Sequence, residues 1–243
     1  MIFQINPNLD IDSLKKTFQQ KKKVVISNFL TENSADILYN FFTYEMEESK
    51  WYASYMDFSS TESTDGYGNV NFTKRTPENK NIIKQKLIEA QQKFIEGRFS
   101  YFFDRTDINE SNSHGSIEHQ YLEFISSTEV INWFSNLIDF QLSSVGEFFA
   151  SSFSANHFLA PHHDHEKGKI ATVLNLSKNW HPSWGGCLLF MDENYENVVR
   201  HVQPSFNKLS IFDIPTANGI PHYVSHVVPL CKSKRISYTG WYV

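Results

Sequence analysis

Cysteine is almost absent: Cys187 and Cys231 are the only two in 243 residues, and they form no CxxC pair. Two thiols cannot build a disulfide framework, and without a CxxC nothing supports a thiolate zinc site. A reducing, cytoplasmic setting is the expectation. No segment approaches the ~20 apolar residues that span a bilayer. The opening stretch "MIFQINPNLDIDSLKK" lacks the basic region and apolar run of a secretory signal. Positive charge is also short, with 22 Lys and Arg against 27 Asp and Glu, a formal net charge of −5. That balance argues against a nucleic-acid binder relying on a general positive field. The dense run Lys21 to Lys23 and the looser "CKSKR" read as a strand edge and a turn.

Apolar material is plentiful. The chain is 40% hydrophobic, with 21 phenylalanines, enough for a sizeable core. "KKKVVISNFLTENSADILYNFF" reads as a short strand over 24–26 followed by a helix capped by Thr31, with Leu38, Phe41 and Phe42 at helical spacing. "NKNIIKQKLIEAQQKFIEGRF" is a second helix, with Ile83, Leu87, Ala90 and Phe94 on one face and Gly97 where it stops. "SSTEVINWFSNLIDF" is a third, capped by Ser127 or Thr128, with Val130, Trp133, Leu137 and Ile138 inward. Between the first two, residues 49–80 read as a long loop or irregular strands. Beyond about residue 146 the chain becomes a series of short β-type runs separated by turns. Helices first and strands afterward imply an α+β protein in which helices brace a β-sandwich or barrel. No repeat or linker divides it, so one domain is expected over 1–243, with helical support and variable loops over 1–145 and a β-rich core over 146–243.

"PHHDHEKGK" at 161–169 crowds five potential ligands together. On a strand, His162 and Asp164 share one face while His163 and His165 share the other. The first pair is a mixed nitrogen and oxygen set suited to non-haem ferrous iron; the second suits zinc or copper with further ligands. Downstream, "PHYVSHVVPLCKSKRISYTGWYV" supplies His222 and His226, then Arg235, Ser237 and Thr239 alternating on one strand face. A guanidinium there can grip a carboxylate through two parallel hydrogen bonds.

The pattern H-x-D, then "VLNLSKNWHPSWGGCLLF", then "HYVSHV" and "RISYTGWYV", resembles the iron(II)/2-oxoglutarate-dependent dioxygenases, and within them the prolyl 4-hydroxylase-like branch. "VVISNFLTENSADILYNFF" is similar to the family's opening strand and helix, whereas residues 45–125 match nothing recognisable. The resemblance implies a double-stranded β-helix, or jelly roll, like that of the cupins. It makes His162, Asp164 and His222 the iron ligands. Arg235 becomes the partner of the distal carboxylate of 2-oxoglutarate, with Ser237 or Thr239 adding a hydrogen bond and Trp241 lining the pocket. Asn175 stands where many relatives carry a cosubstrate-contacting Tyr. The interval from His222 to Arg235 is longer than usual, so the turn "PLCKSK" is expected to bulge, and Lys232 or Lys234 is the alternative cation. His163, His165 and Glu166 fall to the rim or surface, His226 to a structural place in the sheet, Cys187 and Cys231 to a buried and a turn position, and Gly185 and Gly186 to a tight turn or close backbone approach.

The implied reaction is hydroxylation of an aliphatic C–H bond with iron(II), 2-oxoglutarate and dioxygen, releasing succinate and carbon dioxide, with ascorbate as a further candidate cofactor. Related halogenases lack the carboxylate ligand, so Asp164 implies hydroxylation. The expected substrate is a prolyl or other amino-acid side chain, in a peptide or protein or as a free amino acid, with no nucleic acid or membrane partner. The competing classes are a non-catalytic jelly-roll binding or sensing module and a zinc hydrolase, the latter lacking a motif such as HExxH.

Overall fold

The computed structural model describes residues 2–58, 68–107, 115–164, 166–214 and 219–243. In chain order these form helix α1 (Ile11–Lys21), strand β1 (Lys23–Ser27) and helix α2 (Glu32–Asn40), which runs into a π-helical turn (Phe41–Glu45). Strands β2 (Trp51–Asp57) and β3 (Asn69–Lys74), helix α3 (Lys80–Ile95), strand β4 (Tyr101–Thr106) and helices α4 (Ile117–Ile125) and α5 (Thr128–Ile138) follow. Eight strands complete the chain: β5 (Val145–Phe153), β6 (Phe158–His162), β7 (Ile170–Asn175), β8 (Leu188–Met191), β9 (Val198–Val202), β10 (Lys208–Asp213), β11 (His222–Val224) and β12 (Arg235–Tyr242).

All these strands join one curled antiparallel sheet in the order β1-β10-β7-β12-β5-β4-β6-β11-β8-β9, with β2 and β3 extending from β4. The period-2 pleat sorts each strand's side chains between two environments. In β12, Ile236, Tyr238 and Tyr242 face the helices, packing with Ile170 and Leu174 of β7, Tyr121 and Phe124 of α4 and Phe134 and Leu137 of α5. Trp241 faces the opposite way, with Ala171, Val173, Phe149 and Phe153. Burying each such large side chain stabilises the fold by about 1.5–3 kcal/mol. The shared apolar face is therefore what holds α4 and α5 on the sheet. The result is a jelly-roll-like α+β fold braced by helices, as the sequence implies. No described helix is long and apolar enough to cross a membrane.

Residues 49–80 depart from expectation: β2 and β3 pair as a regular hairpin, Tyr52 opposite Lys74 through Asp57 opposite Asn69. Their strand character is hidden because β2 is covered on both sides. Ala53 and Tyr55 pack with Ile83 and Ala90 of α3 and with Phe102 and Phe158, while Ser54 and Met56 turn to the interior cavity. No alternation of apolar and polar residues survives such double burial. Helices α1 and α4 also lie outside the sequence expectation. In α5, Phe134 is buried and Trp133 only partly so, a shift of one position in the inward face. Ser127 caps α5 by accepting from the Val130 amide at 3.4 Å. Thr31 precedes α2 without capping it through its side chain, its hydroxyl meeting that of Ser34 at 2.8 Å instead. Gly97 ends the α3 region with φ +77°, the left-handed conformation anticipated there.

Candidate metal centre

Strand pairing builds the site. β6 ends at His162 and β11 begins at His222, and these two residues sit directly opposite each other. Asp164 follows two residues beyond the end of β6. Strand alternation is therefore not what joins His162 to Asp164: the strand stops at the histidine, and the chain's exit carries the carboxylate back. Each imidazole uses its Nδ1 on a carbonyl two residues earlier, His162 on Ala160 and His222 on Ile220, both at 2.9 Å. A carbonyl only accepts, so Nδ1 carries a proton, and in the neutral ring Nε2 is then the nitrogen with the free lone pair. Those Nε2 atoms lie 3.7 Å (His162) and 3.8 Å (His222) from the two Asp164 oxygens. The separations exceed a hydrogen bond, and one ligand atom from each residue falls within 4.8 Å of the others.

Protonation states suit a cation. Burial first, then the neighbouring His222, pushes the His162 imidazole down to about 4, so it is neutral at pH 7. Burial alone would raise the Asp164 carboxyl, but His222, His162 and the Trp241 indole outweigh it and hold the group below its ordinary value. Trp241 Nε1 donates to Asp164 Oδ2 at 3.0 Å. Two imidazoles and one carboxylate are the mixed donor set that suits non-haem iron(II).

The triad opens into a cavity of about 630 Å³, within the usual range for ligand sites. Arg235, Ser237 and Thr239 line it from β12, as their alternation predicts, and Trp241 joins them, as the resemblance implies. Arg235 is 2% exposed, stacks over Phe153 at 4.8 Å, and makes no hydrogen bond or ion pair with any described residue. Burial pushes its guanidinium down to about 10, so it stays charged near neutrality. A buried cation without a counter-ion is costly, and a carboxylate entering the cavity would relieve it. Gly186, at φ +66°, lets the backbone approach: a Cβ there would stand 3.3 Å from Arg235 Cδ. Gly185 makes the adjoining turn at φ +71°.

The remaining candidates divide clearly. The Ser237 hydroxyl lies 2.8 Å from that of Ser151, and the Thr239 hydroxyl donates to the Thr172 carbonyl at 3.0 Å. Asn175 is not among the cavity-lining residues; its amide reaches the Lys208 carbonyl at 3.5 Å and its buried Oδ1 has no partner. His163 is exposed at the cavity rim, Glu166 is exposed, and His165 lies outside the described residues. His226 falls just past β11, stacked on Phe158 at 4.2 Å and edge-on to Phe94 at 4.7 Å. Lys232 and Lys234 are exposed and do not line the cavity. Sequence reasoning missed the cavity's other wall: Tyr101, Phe103 and Arg105 of β4, and Glu147 and Phe149 of β5. The alternation in "YFFDRT" was the available signal.

Residues 148–243 match the family model of the 2OG-Fe(II) oxygenase superfamily. No curated protein matches the sequence. Among solved structures, a prolyl-4-hydroxylase of Pseudomonas putida is 15% identical with a TM-score of 0.52, the match covering 98% of this chain and 93% of that one. A prolyl hydroxylase of Trichoplax adhaerens, in complex with a hypoxia inducible factor peptide fragment, is 16% identical with a TM-score of 0.58 over 96% and 88%. A 2OG-Fe(II) oxygenase family oxidoreductase of Burkholderia pseudomallei is 10% identical with a TM-score of 0.58 over 99% and 93%. At such identities the structures establish the shared fold, while the family match spans all of β12 and every residue of the triad. Over residues 148–243 the chain is thus similar to the 2OG-Fe(II) oxygenase superfamily, and over its whole described length it shares the fold of those solved structures.

Proposed function

We propose that His162, Asp164 and His222 hold iron(II), that Arg235 holds the distal carboxylate of 2-oxoglutarate, and that the protein hydroxylates an aliphatic C–H bond of an amino-acid side chain. One observation carries the reading: a triad of two imidazoles and a carboxylate shares a cavity with a buried guanidinium that has no partner among the described residues. Bound iron(II), with 2-oxoglutarate and dioxygen, supplies the oxidising power, and succinate and carbon dioxide are the co-products.

The chain's own residues bind, orient and exclude water. The carbonyls of Ala160 and Ile220 fix the tautomer of each histidine. Trp241 fixes the Asp164 carboxylate through its indole N–H and walls that end of the cavity. Arg235 provides two parallel donors for a carboxylate, and the Ser237 hydroxyl, two residues along the same face, is the added hydrogen-bonding group. Thr239, whose proton goes to Thr172, offers its oxygen only as an acceptor. Phe149, Phe153 and Phe103 make the wall apolar, which keeps water from the reacting centre. The carboxylate in the triad supports hydroxylation as the outcome. The prolyl hydroxylase neighbours support a prolyl or related side chain, peptidyl or free, as substrate. Strands from both halves of the chain share the sheet, which supports a single oxygenase domain over 1–243. The two-cysteine composition supports a cytoplasmic location.

The test is to supply iron(II) and 2-oxoglutarate and to screen free amino acids and peptides for a gain of one oxygen in mass, alongside succinate release. Coupled succinate and hydroxylated product are expected. A protein that binds iron(II) and 2-oxoglutarate but never yields succinate would point to a binding or sensing module instead.

A further inference from the structure

The cavity has a second charged feature, away from the triad and unused by the reaction so far described. Arg105 lies four residues along β4 from Tyr101, whose ladder partner is Leu159 of the triad strand β6. Its guanidinium stacks on Phe149 at 3.7 Å and over Phe72 at 5.2 Å, and pairs with Glu147. The side chain is only 14% exposed, so the group is held in place, whereas the Glu147 side chain is 50% exposed.

The hydrogen-bond count shows free valence on both partners. A guanidinium has five N–H donors. Arg105 uses Nε on the Thr106 carbonyl and Nη2 on Glu147 Oε1, and no other partner occurs among the described residues. At least three donors are left over. Glu147, which lines the cavity, uses only Oε1 among the described residues, so Oε2 is left as an unused acceptor. A fixed cation with unused donors beside a carboxylate with an unused acceptor matches a carboxylate and an ammonium carried by one small ligand. A neutral peptide link would leave both charges uncompensated by the ligand. Between this pair and the triad the wall is aromatic, through Tyr101, Phe103 and Phe149.

We infer that Arg105 and Glu147 form a head-group site for a free α-amino acid, Arg105 taking its carboxylate and Glu147 its ammonium, with an apolar side chain directed toward the triad. The inference rests on the proposed hydroxylase reading for its purpose. The geometry of the pair stands without it.

The experiment measures binding without turnover, using zinc(II) in place of iron and 2-oxoglutarate present. Saturation-transfer NMR and calorimetry are run on the common L-amino acids, their N-acetyl and carboxamide derivatives, and the matching acids lacking the amino group. Free apolar amino acids are expected to bind, and blocking either end should weaken affinity at least tenfold. Glu147→Gln, at a half-exposed position, should lower affinity for the free amino acid about tenfold and leave the amine-free acid unaffected. Arg105→Gln should weaken both ligands, and Arg105→Lys should restore part of the loss. Blocked derivatives or peptides that bind as well as the free amino acid would overturn the inference, as would an unchanged affinity in Glu147→Gln. Absence of succinate formation with iron would refute the hydroxylase reading separately, because the binding arm does not depend on turnover.

Discussion

The Trp241 indole is a sensitive point at which to test the metal centre, because one hydrogen bond there separates positioning from ligation. Trp241→Phe keeps an aromatic ring in the wall and removes only the donor that Asp164 Oδ2 accepts at 3.0 Å. Asp164 is 8% exposed, so solvent screens the loss weakly. A hydrogen bond to a charged group contributes about 1.5–3 kcal/mol. At about 1.4 kcal/mol per decade that corresponds to roughly 10- to 150-fold in metal affinity, matching the 10- to 100-fold typical of residues that orient a metal ligand. The assay is anaerobic calorimetric titration with manganese(II), with urea unfolding of the same samples to verify the fold. Phe149→Leu, which alters the same cavity without touching Asp164, is the control and should hold metal affinity within about twofold. A folded Trp241→Phe protein with undiminished affinity would refute the assignment of Trp241 as the residue that orients the carboxylate.

Replacing the buried, unpaired Arg235 with Met should raise the KM for 2-oxoglutarate at least 100-fold while leaving stability equal or higher by about 1–3 kcal/mol, since an uncompensated charge gives way to an apolar chain; a clear loss of stability in urea would show that the guanidinium has a structural partner. Gly185→Ala should destabilise by about 2 kcal/mol or more, because a Cβ at that positive φ would lie 2.0 Å from the His226 carbonyl; an unchanged melting temperature would contradict the strained turn. Burial is the leading cause that pushes the imidazoles of His157, His162 and His226 below their ordinary value. Their depressed folded-state pKa means the unfolded chain binds more protons, so stability present above about pH 6.5 is lost as pH falls through the folded values. Metal-free protein should therefore show a falling urea midpoint between pH 6.5 and 5, and a flat midpoint across that window would oppose it.

Much of the site was legible in the sequence, and the reasons differ from residue to residue. The β12 residues Arg235, Ser237 and Thr239 could be placed on one face because a regular strand has a fixed period, Trp241 was added to the pocket by the family resemblance, and the cavity receives all four. His162 and Asp164 do lie together, but not through strand alternation, since β6 ends at His162 and the exit of the chain carries the carboxylate round. The hairpin β2–β3 escaped notice because its first strand is buried on both faces. The bond from Trp241 to Asp164 spans 77 positions and depends on how a loop returns to the sheet, which no local pattern records. Arg105 and Glu147 escaped for a similar reason: each is an ordinary charged residue on its own strand, and only the pairing of β4 with β5 brings them to one rim.

The central claim is that His162, Asp164 and His222 form an iron site that uses 2-oxoglutarate. Its most direct test is anaerobic iron(II) titration followed by timed succinate measurement in the wild type and in Asp164→Ala. The account predicts one iron(II) per chain and 2-oxoglutarate-dependent succinate in the wild type, with both lost in the folded variant. Undiminished succinate formation by Asp164→Ala would contradict it.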